Sequence, residues 1–205
     1  PSNFRVPIIS MIRFILITGC RKGEAIHAEW TDFDLDQGIW RIREKPECPT
    51  ILSEGWKPKA NKERDVYLLL EVVDLLKSIP RYDETFGSVK INGELTFKRA
   101  DFVFTVKRRV KIDGVSEWRQ TRIGNERSSW KKLLEEAGIP NLQIKDLRRF
   151  LNSVLVNDCG LSHKEAGVHI GNSNMVNYNH YTQVDLEAIK TKLGKHQDLL
   201  PQFLN

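Results

Sequence analysis

From Ile8 to Ile17 the chain reads IISMIRFILI, apolar nearly all round and broken only by Ser10 and Arg13. A helix with apolar residues on every side has no solvent face, so other elements must wrap it, which makes this stretch the centre of a core. The most apolar run, Ile8 to Cys20, falls short of the roughly 17 to 25 residues that cross a bilayer. Neither a charged start nor a small-residue cleavage site marks it as a signal peptide. Thr18-Gly19 closes the helix, and a second short helical stretch runs from Lys22 to Trp30.

The elements that could wrap it follow in order. Ile39 to Ile42 alternates as a strand, after turn chemistry at Phe33 to Gly38. Turn residues at Pro58 to Asn61 lead into a second β-like run, Asp65 to Leu69, so the two predict a hairpin in a small antiparallel sheet. Leu70 to Ile79 has helical spacing and stops at Pro80. Arg81 to Ala100 is polar and glycine-containing with little periodicity, which reads as a long surface connection. Asp101 to Val106 reads as a short buried strand, and Val110 to Gly124 as a basic, flexible insertion.

Helices follow at Asn125 to Ala137, stopped by Gly138 and Pro140, and at Ile144 to Val156. Ser162 and Glu165 form a capping box for another, and Asp185 to Leu193 carries apolar residues at helical spacing, with Gly194 as its cap. The prediction is a mainly α fold with a small antiparallel β-sheet, in one domain of 205 residues.

Charge narrows the partner. The chain is net +5, but Lys98 to Lys132 holds eleven Lys or Arg against four Asp or Glu, so this stretch is +7 and the rest −2. Such a stripe suits a phosphate backbone, although a solvated loop has the same composition. Three cysteines, Cys20, Cys48 and Cys159, lie far apart and outside any CxxC pair, which indicates neither a disulfide framework nor zinc and fits a reduced intracellular protein. No Gly-rich phosphate loop, HExxH or GxSxG is present.

What remains is a set of cations at element starts and two tyrosines. Arg21 follows the glycine that ends the apolar helix, and Glu24 lies three residues on, able to orient it. In IKDLRRFL, Lys145 and Arg148 lie three apart on one helical face, where two cations repel unless something anionic lies between them. Near the end, GNSNMVNYNHYTQVD carries Tyr178 and Tyr181.

These segments resemble the tyrosine recombinases, or phage-type integrases. TGCRKGEAIHAEWTDFDLD is similar to their TG-x-R-x-x-E box, IKDLRRF to their H-x-x-R box, KPKANKERDVYL to their β-hairpin lysine segment and GNSNMVNYNHYT to their closing segment. In that closing segment the nucleophilic tyrosine follows a His or Trp by nine residues; counted from Asn172, the ninth is Tyr181. The order Arg21, Lys59, Lys145, Arg148, Asn172, Tyr181 is the family's and spans most of the chain.

The resemblance implies a tyrosine recombinase catalytic-domain fold, with the family's separate N-terminal DNA-binding domains outside these residues. It implies a site-specific recombinase or integrase of a phage or mobile element, acting on double-stranded DNA in the cytoplasm of a prokaryotic host, self-associating as a tetramer, with no cofactor and no metal. Arg21 and Arg148 would hold the nonbridging oxygens of the scissile phosphate, a task suited to a permanently charged planar fork. Tyr181 would attack phosphorus to give a 3'-phosphotyrosyl enzyme and a free 5'-hydroxyl, and Lys59, with Lys57 and Lys62 as neighbouring alternatives, would protonate the leaving oxygen.

Two positions depart from the family's pattern. Lys145 stands where His is usual and is a poor proton acceptor at neutral pH; Asn172 stands where His or Trp is usual and carries no charge. His169 and His180 flank these sites at the wrong spacing and read as surface or packing groups. A DNA-binding relative without catalysis and a type IB topoisomerase are the competing readings.

Overall fold

The computed structural model describes residues 5–50, 55–59, 63–91, 93–112, 114–124, 126–139, 141–171 and 186–195. Helix α1 (Arg5–Thr18) is the apolar run, and Ile8, Met11, Phe14 and Ile15 on it are all but inaccessible. Around it lie α2 (Lys22–Ile26), a 3-10 turn at Trp30–Asp32, strands β1 (Phe33–Asp34), β2 (Ile39–Ile42) and β3 (Arg64–Tyr67), and α3 (Leu70–Ser78). Two hairpins follow, β4 (Thr85–Ile91) with β5 (Glu94–Ala100) and β6 (Thr105–Ile112) with β7 (Val115–Arg122). Helices α4 (Arg127–Ala137), α5 (Ile144–Asn157), α6 (His163–Ile170) and α7 (Leu186–Gly194) complete the described chain.

β1, β2 and β3 form the antiparallel sheet that the hairpin signal predicts, with Trp40 opposite Val66. Trp40 meets Phe14 of α1 edge-on at 5.0 Å and stacks on Phe33 at 5.5 Å; Phe104 adds a further ring 5.2 Å from Phe14. This aromatic cluster fixes the sheet against the central helix, and offset or edge-on ring pairs contribute about 0.5–1.5 kcal/mol each beyond the area they bury.

The β content exceeds the expectation. Arg81 to Ala100 is no surface connection, and Val110 to Gly124 is no flexible insertion. They form most of a second sheet of order β5-β4-β7-β6, whose two antiparallel hairpins join through a parallel pairing at Phe86 and Thr121. The short buried strand expected at Asp101 to Val106 is instead the start of β6 after a buried lead-in, Phe102 to Phe104. The physical reason lies in two glycines, Gly93 and Gly114, that follow Ile91 and Ile112 closely and stand in the sequence as Asn-Gly and Asp-Gly, the dipeptides that favour tight hairpin turns. Gly93 and Gly114 have φ of +84° and +85°, where a Cβ is penalised.

The later helices form as predicted, except that Gly194 is the last residue of α7 and not a cap beyond it. Gly138 takes a left-handed conformation at the end of α4, and at α6 the Ser162 hydroxyl accepts from the Glu165 N–H at 3.2 Å while the Glu165 carboxylate accepts from the Ser162 N–H at 2.8 Å. Helix α7 packs on its own chain: Ile189 and Leu193 are buried in the core, and Lys192 donates to both Glu165 oxygens at 2.8 and 3.0 Å. All three cysteines are free and buried. Among the described residues no helix is long and apolar enough to cross a membrane.

Candidate active site

Three helix ends meet beside the core. Gly19 closes α1 at φ +62°, and a Cβ there would lie 2.7 Å from Leu151 of α5 and 2.8 Å from Ile170 of α6. Only glycine permits both the backbone turn and this approach. Because the three helices come so close, the Gly19 carbonyl faces Arg148, whose Nη1 donates to it at 2.8 Å.

Arg21 sits at the start of α2, where Glu24 folds back to cap it. The Glu24 carboxylate accepts from the Arg21 N–H at 2.7 Å and from Arg21 Nη1 at 3.0 Å. It also receives a bidentate pair from Arg64, at 2.9 and 2.8 Å. Glu24 is 2% exposed. Burial alone would raise its carboxyl pKa, but the hydrogen bonds and charges of Arg64 and Arg21 outweigh it and hold the group below the usual carboxylate range.

The C-terminus of α6 is the third component. A helix end leaves its last carbonyls without intrahelical partners and carries partial negative charge. Here three guanidinium groups satisfy them: Arg148 Nη1 and Arg64 Nη2 donate to the Ile170 carbonyl, and Arg21 Nη2 donates to the Gly171 carbonyl at 2.5 Å. Gly171, at φ +71°, lies so close to Arg64 that a Cβ would be 2.3 Å from its Cζ. One carboxylate and three peptide oxygens, those of Gly19, Ile170 and Gly171, thus gather three full cations, and that leaves a local excess of positive charge. Burial, and then the Arg21 cation, pull the Arg148 guanidinium down to about 10, still charged at neutral pH.

A cavity of about 410 Å3 opens beside this cluster. Arg21, Lys145 and Arg148 line it together with Lys22, Arg127 and Trp130, and its one carboxylate, Glu126, is paired with Lys22 at 2.8 Å. Among the described residues the Nε and Nη2 atoms of Arg148 have no protein partner, so it keeps donors for a ligand while its Nη1 is fixed by two carbonyls. The arrangement can hold an anion of phosphate size on charge-assisted bonds in a partly dry setting.

Of the residues singled out from sequence, the structure brings Arg21, Lys145 and Arg148 to one cavity. Lys59 is exposed in the loop before β3 and does not line it; Lys57 is exposed as well. Asn172, Tyr178, His180, Tyr181 and Lys62 lie outside the described residues. His169 is no surface group: it is 4% exposed, its Nδ1 has no partner among the described residues, and burial, helped by the Arg64 and Arg148 cations, lowers its pKa to about 4. It is a neutral packing group beneath the cluster.

Arg64 escaped the sequence reading although it holds Glu24. The signal was present: in RDVYL, Arg64 shares a strand face with the fully buried Val66, and a cation on an inward face requires a carboxylate partner.

A family model described as the phage integrase family matches residues 3–188. The chain belongs to the phage integrase family. A probable integrase/recombinase protein of Methanocaldococcus jannaschii is 29% identical over 87 residues, which covers 42% of this chain and 22% of that protein. Among solved structures, the Tn1549 transposon integrase in complex with circular intermediate DNA superposes with a TM-score of 0.57 at 15% identity, over 94% of this chain and 59% of its own. XerA recombinase gives 0.51 at 18% identity, over 96% and 64%. These likenesses show the tyrosine recombinase catalytic-domain fold, and the chain spans less than two thirds of each of these relatives.

Proposed function

We propose that this chain cleaves and rejoins double-stranded DNA at specific sites through a 3'-phosphotyrosyl intermediate. The observation that carries the reading is the convergence of Arg21, Lys145 and Arg148 on one cavity, with both arginines anchored on the carbonyl end of α6. The chain immediately after that end is Asn172, and Tyr181 lies nine residues further on.

Arg21 and Arg148 take the two nonbridging oxygens of the scissile phosphate, and their charge acts most strongly on the phosphorane-like transition state, where negative charge accumulates. Lys145 donates to the same phosphate and Asn172 adds a neutral hydrogen bond. The Tyr181 phenolic oxygen forms the new bond to phosphorus as the bond to the 5'-oxygen breaks, and Lys59 supplies the proton that the leaving oxygen takes up. A phenol with a reference pKa of about 10 is a weak nucleophile, and cations at the scissile phosphate would favour its phenolate. In the second half, a 5'-hydroxyl attacks the phosphotyrosine, so the bond energy is retained. Exchange between two duplexes requires several copies, and a tetramer on the recombining DNA is the assembly proposed.

The test is a nicked duplex library of randomised sequence, with covalent protein–DNA species isolated under denaturing conditions. Wild-type protein should form an adduct and Tyr181→Phe none. Binding without any adduct would favour a DNA-binding relative that has lost catalysis, for which Lys145 and Asn172 are the motive.

A further inference from the structure

The hairpin of β6 and β7 has two chemically different faces. Strand alternation puts Val106, Arg108 and Val110 on one, opposite Thr121, Arg119 and Glu117. That face is satisfied within the chain: Val106 and Val110 are buried, and Arg119 pairs with Glu117 at 2.7 Å and Glu84 at 3.5 Å. The other carries Lys107, Arg109 and Lys111 opposite Gln120, Trp118 and Ser116. It has no acidic residue. All three cations are exposed and none has an ion pair among the described residues. Trp118, directly across from Arg109 and diagonal to the two lysines, is 63% exposed.

Exposed tryptophan ringed by unpaired cations is an expensive surface to leave against water, and it matches one kind of partner. Alternate residues on a strand recur every ~7 Å, so the three cations span ~13 Å, the axial rise of about four nucleotides in one DNA strand. A flat aromatic among them offers a stacking or wedging surface to a base or sugar edge. The root of the hairpin is held beside α2, which Arg21 precedes: Arg122 at the end of β7 bonds to His27, which follows α2, and the Val103 N–H donates to the Ala28 carbonyl at 3.0 Å.

We infer that this face is a second duplex-DNA contact, separate from the cavity, in which Lys107, Arg109 and Lys111 neutralise phosphates of one strand and Trp118 lies against the bases or sugars between them. It rests on the proposed action on DNA, and it adds a surface that the catalytic cluster does not supply. Its contribution is to affinity and to the path of the flanking DNA.

Binding to a random-sequence 40-bp duplex, followed by fluorescence anisotropy between 50 and 200 mM salt, tests it. Each phosphate contact contributes about 0.9 to the slope of log affinity against log salt, so Lys107→Gln/Arg109→Gln/Lys111→Gln should flatten the slope by about 2.7. Trp118→Ala should weaken duplex binding about five-fold or more. Quenching of tryptophan emission by DNA should be smaller in Trp118→Phe than in wild type. Lys77→Gln/Lys90→Gln/Lys195→Gln, three exposed lysines elsewhere, should keep the wild-type slope. An unchanged slope in the ribbon triple variant overturns the inference, as does an equal loss in the control, or an effect confined to single-stranded DNA. The nicked-library assay separates the two claims: an adduct with an unchanged slope sinks the second contact alone, and a flattened slope with no adduct sinks the catalytic reading alone.

Discussion

Replacing Glu24 with Gln should destabilise the protein severely, although the side chain keeps its shape. The carboxylate receives four hydrogen bonds, two on each oxygen, from the Arg21 N–H, Arg21 Nη1 and both Arg64 terminal nitrogens. An amide offers one oxygen and one NH2, so either orientation leaves two donors facing a donor. Lost bonds to a charged group are worth about 1.5–3 kcal/mol each, and stripping a buried cation of its partner costs about 3–5 kcal/mol; the two estimates describe overlapping losses, so about 3–5 kcal/mol is the expected total. Domains of this size shift about 2–4 °C per kcal/mol, which predicts a Tm lower by about 6–20 °C. Urea unfolding followed through the five tryptophans would give the midpoint and the slope. A double variant, Glu24→Gln/Arg64→Met, should regain part of the loss, because an apolar replacement removes the stranded cation. A loss under about 1 kcal/mol at unchanged slope, or a double variant no better than the single, would refute the account of Arg64 as a buried partner of Glu24.

Two further predictions concern the same junction. Gly19→Ala places a methyl 2.7 Å from Leu151 at a positive φ, and should cost about 1–3 kcal/mol by overpacking alone, measured as a lower urea midpoint; wild-type stability would mean that α5 and α6 yield there. Stability should also fall on mild acidification. His169 is buried and His27 half-buried, and desolvation is the main cause that lowers their pKa values to about 4 and about 3, so between their ordinary 6.5 and these values the unfolded chain binds protons that the native one does not. The sign is therefore a loss as pH drops below 6.5, of up to about 1.4 kcal/mol per pH unit for each. Melting curves from pH 7 to pH 4.5 should show it, and His169→Gln should make the decline shallower; a flat profile would contradict the burial of neutral imidazoles.

Legibility in the sequence followed locality. The helices, their caps and the β2–β3 hairpin were readable because period, capping box and stop residues lie within a few positions of one another. The second sheet was missed because its strands are mostly polar, with Lys and Arg on the exposed face of β6, so apolar alternation is weak and only the Asn-Gly and Asp-Gly turns betray it. At the site, order and spacing picked out Arg21, Lys145 and Arg148, which do share a cavity. They could not show that the anchors are the last carbonyls of α6, since a backbone oxygen leaves no mark in the sequence. Arg64 belongs to the same class: its role depends on a contact 40 residues distant.

The three buried thiols make the protein a reporter of its own breathing. Burial, reinforced by the Glu24 charge at Cys20 and by Glu29 at Cys48, pushes both of these thiols up to about 12, and Cys159 is raised as well. A thiol so protonated is a poor nucleophile, so an alkylating reagent reacts only when the chain around it opens. The three lie in different neighbourhoods, Cys20 beside the arginine cluster, Cys48 in the loop after β2 and Cys159 just beyond α5. Their separate labelling rates would time the opening of the arginine junction against that of the lysine-bearing loop and the helical layer, residue by residue, in unmodified protein.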